Sequence, residues 1–413
     1  MDDIIISIDI GTSKTCAVIG RINQNSELEI SGRGISPCNG LKKGVIVDIE
    51  STASSIRNAL DKAEAAANMK ARSAYVNIHG MHVNVTNNRG WLSISNSNRE
   101  ITRRDIDALL HSLTEDIEIP EDRQLIDVIP RQYIIDGYDE ILDPVGMVGT
   151  KLEVDADVVI GKITSVQNII KSVERAGLQI DGMVAEAFAT GEICLTPEER
   201  DIGVVLLDVG GGITDISVYQ GKRLVFYDSI PVGGDHITND ISIGLHIAYS
   251  EAEKIKRQFE LALTSLIKND QEISVYDISE NRKKNVKVSE VVEIMEARVY
   301  EIFSLCKNLL EREGVLPRNG AGVVLTGGGI SYVDGARQIA QEIFGLPVRV
   351  VQAGHLQGVS KPEYITSAGI IRYVANMKKG SSSASETKPA KPAPKEKKNT
   401  IIDKIINFIK EIF

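Results

Sequence analysis

The chain has 413 residues, 42% hydrophobic, 25% charged and 5% aromatic, more than one domain's worth of an ordinary globular composition. Its formal charge of −10 is uneven: residues 378–413 hold nine Lys against four acidic residues, a net of +5, which leaves −15 on residues 1–377. That acidic body argues against a nucleic-acid partner, no apolar run reaches the roughly 18 residues that span a bilayer, and Cys16, Cys38, Cys194 and Cys306 lack the CxxC spacing of a metal or redox site.

The chain enters a strand pattern at once, which predicts no signal peptide. Strands are expected at Ile4–Ile10, Thr15–Ile22, Leu28–Ile35 and Gly44–Asp48, then a helix from Ile49 to about Ala67. Further strands are expected at Ala74–His79 and His82–Asn87. Residues 90–165 read as a separate insertion, with the run Trp91-Leu92-Ser93-Ile94-Ser95, a helix at 102–114 and strands near Gln124–Pro130, Gln132–Tyr138 and Leu152–Ile160. A helix at 164–177 ends at Gly177, as C-cap glycines do. From Gly203 the opening pattern restarts. A mostly helical excursion fills about 235–310, the strand Gly322–Thr326 runs into three glycines, a helix follows from about Val333 to Phe344, and 359–377 reads as a closing helix.

The restart is nearly literal. Ile8-Asp9-Ile10-Gly11-Thr12 and Leu207-Asp208-Val209-Gly210-Gly211-Gly212-Ile213-Thr214 each carry an Asp, one residue, then Gly, between two apolar runs. Such hairpins can aim backbone N–H groups at phosphate oxygens, because glycine removes the Cβ that blocks approach. The candidates are Gly11, Thr12, Ser13 and Lys14 on one side, and Gly210, Gly211, Gly212 and Thr214 on the other. Lys14 would neutralise phosphate charge. Asp9 and Asp208, with Asp215 beside them, would face a hydrated Mg²⁺. The first turn lacks Walker A spacing. Gly327-Gly328-Gly329 after the strand ending at Thr326 suits a base or ribose.

These three signatures in this order resemble the actin-like ATPase superfamily. The resemblance implies an α/β, two-lobed fold with duplicated five-stranded sheets flanked by helices, and ATP with Mg²⁺ between the lobes. It places Gly233 and Gly234 at the glycine pair after the second phosphate motif, and Glu253 and Lys256 at base and ribose contacts. A solvated helix face is the alternative for the last two. Ala185-Glu186-Ala187 resembles the connecting motif, with Glu186 as the acid that positions the attacking water; a buried or capping Glu without a catalytic role is the alternative. The usual Pro is replaced by Ala187, so the expected ATPase activity is weak.

Within the superfamily the insertion, together with residues 40–48, Asp127-Val128-Ile129-Pro130, 149–153 and 173–177, is similar to the FtsA family of bacterial division proteins. That resemblance divides the chain into a first-lobe core (1–84, 165–199 and 359–377), an inserted α+β subdomain (85–164), a second-lobe core (200–234 and 311–358), a small second-lobe subdomain (235–310), a basic linker (378–399) and a terminal helix (400–413). It implies self-assembly into filaments on the cytoplasmic side of the cell membrane at the septum, contact with other division proteins, and capture of the FtsZ C-terminal peptide in subdomain 235–310. Arg298 stands where the family carries an Arg on that subdomain's helix. A PilM-like pilus-assembly adaptor and a sugar or acetate kinase are the rival readings within the fold.

The linker is too polar for a core, with a coil dimension of roughly 25 Å. At about 100° per residue, Ile401, Ile402, Ile405, Ile406, Phe408, Ile409, Ile412 and Phe413 share an arc of about 160°, with the polar residues opposite. A helix of this length is about 20 Å long, too short to span roughly 30 Å of hydrocarbon. It can lie in the interface of an anionic membrane. Docking on the body is the alternative.

Overall fold

The computed structural model describes residues 4–317, 319–353, 359 and 361–382. Two five-stranded sheets repeat one topology. In the first, the strands run in the order Gln179–Ala185, Ser73–Ile78, Ile5–Ile10, Lys14–Ile22, Leu28–Pro37. In the second they run Arg223–Ile230, Thr214–Gln220, Val204–Val209, Gly322–Thr326, Val348–Val350. In both, the first three strands in chain order form an antiparallel meander, and the last two join parallel on the other side of the first strand. The parallel half requires helical crossovers.

Burial follows from the layers. Val204–Val209 is buried at every position, as a strand covered on both faces must be. Val205, Leu207 and Val209 join the core of their own lobe, whereas Val204 and Leu206 join the core that fills the first lobe. The helix Ile49–Ala67 starts where the Asp48 side chain accepts from the Ser51 N–H, and stops at Asn68 with φ 51°. It lays Ala53, Ile56, Ala59, Leu60 and Ala63 on the first sheet. The helix Ile365–Ser382 packs against the helix Glu186–Cys194, with Tyr373 stacked on Phe188.

The insertion forms its own four-stranded sheet, ordered Val83–Ser93, Lys151–Lys162, Arg123–Ile135, Tyr138–Ile141, with the helix Arg103–Glu115 and a separate core. Here the strands are longer than the sequence predicts. The runs expected at His82–Asn87 and 91–95 are one strand, and the two expected around Pro130 are one strand that passes through the proline. Pro130 pairs with Ala156 at a register shift, where a missing N–H is tolerated. The segment Gly44–Asp48 is not a full strand but the short pair Leu41–Lys42 and Val45–Ile46.

The excursion holds the helices Gly234–Leu245, Tyr249–Phe259 and Val288–Arg312, and a hairpin, Glu272–Asp277 with Arg282–Lys287, that its composition does not announce. The closing helix runs to Ser382, past the expected linker start at 378. The rest of that linker and the terminal helix with Ile401, Ile402, Ile405, Ile406, Phe408, Ile409, Ile412 and Phe413 lie outside the described residues. Among the described residues no helix is long and apolar enough to cross a membrane.

Candidate nucleotide site

The two hairpins meet turn to turn. In the first, Asp9 pairs with Cys16 and the Gly11 N–H donates to the Lys14 carbonyl at 3.0 Å. In the second, Asp208 pairs with Asp215 and the Gly210 N–H donates to the Ile213 carbonyl at 2.9 Å. Equal register puts both acids at the same place beside their turns. The approach is close: a Cβ on Gly212 would come within 2.5 Å of Thr12 Cγ2, so a larger residue would hold the turns apart. Ser13 Oγ donates to Asp235 Oδ2 across the lobes at 2.7 Å. Among the described residues, the N–H groups of Thr12, Ser13, Gly211 and Gly212 have no acceptor within the protein.

One cleft is lined by Asp9, Gly11, Thr12, Ser13, Lys14, Glu186, Asp208, Gly210, Gly211, Gly327 and Gly328, all predicted from sequence. Around them the other predicted residues are structural neighbours. Thr214 is buried and donates to the Val232 carbonyl, fixing the turn that leads to Gly233. The Gly234 N–H donates to the Gly210 carbonyl at 2.9 Å, and the Gly329 N–H to the Val209 carbonyl at 2.8 Å. Gly327 has φ 97°, and a Cβ there would run into the Asp208 carboxylate, a conformation and a closeness that both require glycine. Lys256 Nζ donates to the Gly234 carbonyl at 3.1 Å and pairs with Glu253 at 2.7 Å, so both residues sit behind the Gly234 turn. Arg298 does not line the cleft; it stands on the long helix Val288–Arg312. Its guanidinium donates to Asp240 Oδ1 at 3.0 Å and pairs with Glu301.

The site also contains residues that sequence reasoning missed. His79, Pro362, Glu363 and Thr366 line the same cleft, next to Asp215, which the sequence had already set beside Asp9 and Asp208. His79 has a readable signal: with Asn77 it shares one face at the end of a strand parallel to the Asp9 strand. Glu363 comes from the short 3-10 turn Pro362–Tyr364 and Thr366 from the start of the closing helix that follows it, both brought in by tertiary folding alone.

Five carboxylates (Asp9, Glu186, Asp208, Asp215 and Glu363) face one lysine and one histidine here, and their protonation reflects it. Burial, then the nearby Glu186, pushes the Asp9 carboxyl up to about 7. Burial, with Glu186 and Asp215 next, raises Asp208 well above the usual carboxylate range. Asp215 goes the other way: burial opposes its charge, but the bond to His79 and those from Ser229 and Gly80 outweigh it. Burial opposes charge on His79 as well, yet Glu186 and Asp215 raise it well above its ordinary value. A cleft that protonates its own acids is short of positive charge, which a cation would supply.

Comparison with known proteins places this architecture. Residues 205–369 match the family model "Cell division protein FtsA", and residues 80–160 match "SHS2 domain inserted in FTSA". The chain is 37% identical over 372 residues to the cell division protein FtsA of Bacillus subtilis, covering 90% of this chain and 83% of that protein. It is 36% identical to that of Pseudomonas aeruginosa (89% and 88% covered) and 30% identical to that of Escherichia coli K12 (90% and 90%). Among solved structures it resembles the PilM-PilN type IV pilus biogenesis complex, with TM-score 0.60, 16% identity and 90% and 98% coverage. It also resembles MreB 5 of Spiroplasma citri bound to AMPPNP, with TM-score 0.53, 17% identity and 92% and 98% coverage. At these identities the solved structures establish the fold.

Proposed function

Because the chain belongs to the FtsA family of cell-division proteins, we propose that it binds ATP with Mg²⁺ between its lobes, assembles into actin-like filaments on the cytoplasmic face of the cell membrane, and anchors FtsZ there at the septum. The observation that carries the nucleotide reading is the facing pair of turns, with the N–H groups of Thr12, Ser13, Gly211 and Gly212 left without acceptors among the described residues, beside an excess of carboxylates.

Those N–H groups would hold phosphate oxygens, and Lys14 would balance their charge. Asp9 and Asp208 would hold the Mg²⁺ through its waters. The ion would neutralise charge that builds on the phosphates during transfer. Glu186 would orient water, but its Oε2 lies 2.6 Å from His79 Nδ1. A base engaged this way, followed by Ala187 rather than Pro, supports slow turnover and a role in assembly rather than in metabolism.

Titration calorimetry with Mg²⁺–ATP tests the cleft. Binding by the parent chain and its loss in Gly212→Val are expected, and equal affinity in the two would remove the reading. Liposome pelleting tests the membrane step. Deletion of 400–413, or Ile405→Glu, should leave the chain in the supernatant with ATP binding intact, and full co-sedimentation would sink the anchor. For the partner, Ile243 and Tyr300 stay exposed on the two helices that carry Asp240 and Arg298. An acidic FtsZ C-terminal peptide would compete with Asp240 for Arg298 while its apolar residues cover that patch. Fluorescence anisotropy should show weaker peptide binding by Arg298→Glu, and unchanged affinity would take Arg298 out of the interface.

A further inference from the structure

At the floor of the cleft three side chains turn one atom each toward a common point. His79 Nδ1, Glu186 Oε2 and Asp215 Oδ2 lie within 4.8 Å of one another, with Nδ1 2.6 Å from Oε2 and 3.2 Å from Oδ2. The three residues are only 8%, 6% and 6% exposed. They come from three places in the fold: just past the strand Ser73–Ile78, the first turn of the helix Glu186–Cys194, and the strand Thr214–Gln220 of the other lobe.

The remaining polar atoms of the three are already engaged. His79 Nε2 lies 3.1 Å from the Ile10 carbonyl. Glu186 Oε1 accepts from Thr366 Oγ1 at 3.2 Å. Asp215 Oδ1 accepts from the Gly80 N–H at 2.9 Å, Ser229 Oγ at 2.6 Å and Tyr227 OH at 3.2 Å. A carbonyl can only accept, so Nε2 carries a hydrogen. That anchors the ring the way metal-binding histidines are anchored, by an outer bond that leaves Nδ1 for the ion. Asn77 Nδ2, 3.3 Å from Glu186 Oε2, adds a second outer bond.

At 2.6 Å Nδ1 and Oε2 share a proton, and an ion about 2.0–2.1 Å from each ligand atom would replace that proton and part the two atoms. A proton there leaves the three groups with a net negative charge beside Asp9 and Asp208. A divalent ion leaves them neutral. One imidazole and two carboxylates suit a borderline transition metal and not Mg²⁺, which prefers oxygen ligands and retains water. The three residues line the same open cleft as the turns, which gives an ion its way in.

We propose that His79, Glu186 and Asp215 form a binding site for a divalent transition-metal ion, Zn²⁺ in the first instance, separate from the Mg²⁺ position at Asp9 and Asp208. An ion there would link the two lobes through Asp215 and withdraw Glu186 Oε2 from any water. The site stands on its own ligands and does not rest on the nucleotide reading.

The experiment uses the untagged full chain, stripped of metal with a chelator and free of nucleotide, titrated with Zn²⁺ against a chromophoric chelator. One Zn²⁺ per chain is expected, with affinity reduced by more than about tenfold in His79→Ala. Asp208→Asn should keep the stoichiometry at one. Co²⁺ in place of Zn²⁺ should give ligand-field bands without thiolate charge transfer. The absence of stoichiometric Zn²⁺ would overturn the proposal and leave His79 a protonated clasp. Unchanged affinity in His79→Ala, or a thiolate band, would overturn it equally by placing the ion elsewhere. Should His79→Ala fail to fold, His79→Gln, which removes the ring nitrogen but keeps a donor, is read by the same criteria. ATP binding, measured separately on the stripped parent, keeps the two readings distinguishable.

Discussion

Position by position, the two hairpins of the cleft are one backbone with different cargo. Asp9 stands where the second has Asp208, Gly11 where it has Gly210, and Thr15 where it has Thr214. Between these fixed points they diverge: Thr12 and Ser13 face Gly211 and Gly212, Lys14 corresponds to Ile213, and Cys16 to Asp215. The first hairpin brings a cation and hydroxyls, and the second gives up side chains so that these can close in. The last pair shows that neighbours, not the hairpin, decide polarity. Cys16 Sγ donates to the Glu363 carbonyl at 3.1 Å, whereas Asp215 accepts from Gly80, Ser229 and Tyr227 and pairs with His79. One position needs a donor and its twin needs an acceptor.

The harshest test of that contrast is to copy the second residue onto the first. Cys16→Asp would bury a carboxylate facing a carbonyl, with none of the donors that serve Asp215. A loss of about 3–5 kcal/mol in urea unfolding is expected. A loss below about 1 kcal/mol would mean that the two positions are interchangeable after all.

Asp9 and Asp208 are a matched pair, and both are raised, so their cost should appear in pH dependence. For Asp9 the ordinary value is 3.8 and the folded value about 7. Between them the folded chain keeps a proton that the unfolded chain has released, so stability falls as pH rises through this window. Asp9→Asn removes that slope. Without metal or nucleotide, the variant should match the parent near the bottom of the window and exceed it by up to about 4 kcal/mol at the top. Urea midpoints across the range check it, and parallel curves would show that Asp9 is not protonated. The third substitution removes the cation that only the first hairpin carries. Lys14→Ile, which imitates Ile213, should weaken Mg²⁺–ATP binding by about 1.5–3 kcal/mol, on the order of 10–100-fold, with little change in stability. An unchanged Kd by calorimetry would place the phosphates away from Lys14.

How much of this was legible beforehand depends on how local the cause is. The turns were legible because Asp-x-Gly between apolar runs is a local pattern, and its repetition pointed to two lobes. The helix Ile49–Ala67 was legible because Asp48 caps it and Asn68 ends it. The strand Gln179–Ala185 was not, because Asp181-Gly182 interrupts its apolar pattern. It survives at the sheet edge through a bulge between Ile180 and Gly182. Pro130 looked like a break for the same reason. His79 could be placed near Asp9 from its strand, but its role could not be read, because a histidine ending an apolar strand says nothing of the acids that meet it, and those lie on separate elements (Glu186 and Asp215). Which acid is raised and which lowered is likewise a property of the assembled cleft.

The mildest substitution separates backbone from side chain within the first turn. Ser13 Oγ reaches Asp235 Oδ2 across the lobes, an exposed contact of the kind that contributes about 0.5–1 kcal/mol. Ser13→Ala removes it but keeps the Ser13 N–H, which has no acceptor among the described residues. If the clamp is built from backbone, as the glycines at Gly211 and Gly212 require of the other turn, stability should drop by no more than that amount. Mg²⁺–ATP affinity should then weaken by less than about fivefold. A larger loss of affinity at unchanged stability would mean that the first hairpin grips the nucleotide with its hydroxyl, and that the two turns differ in mechanism as well as in cargo.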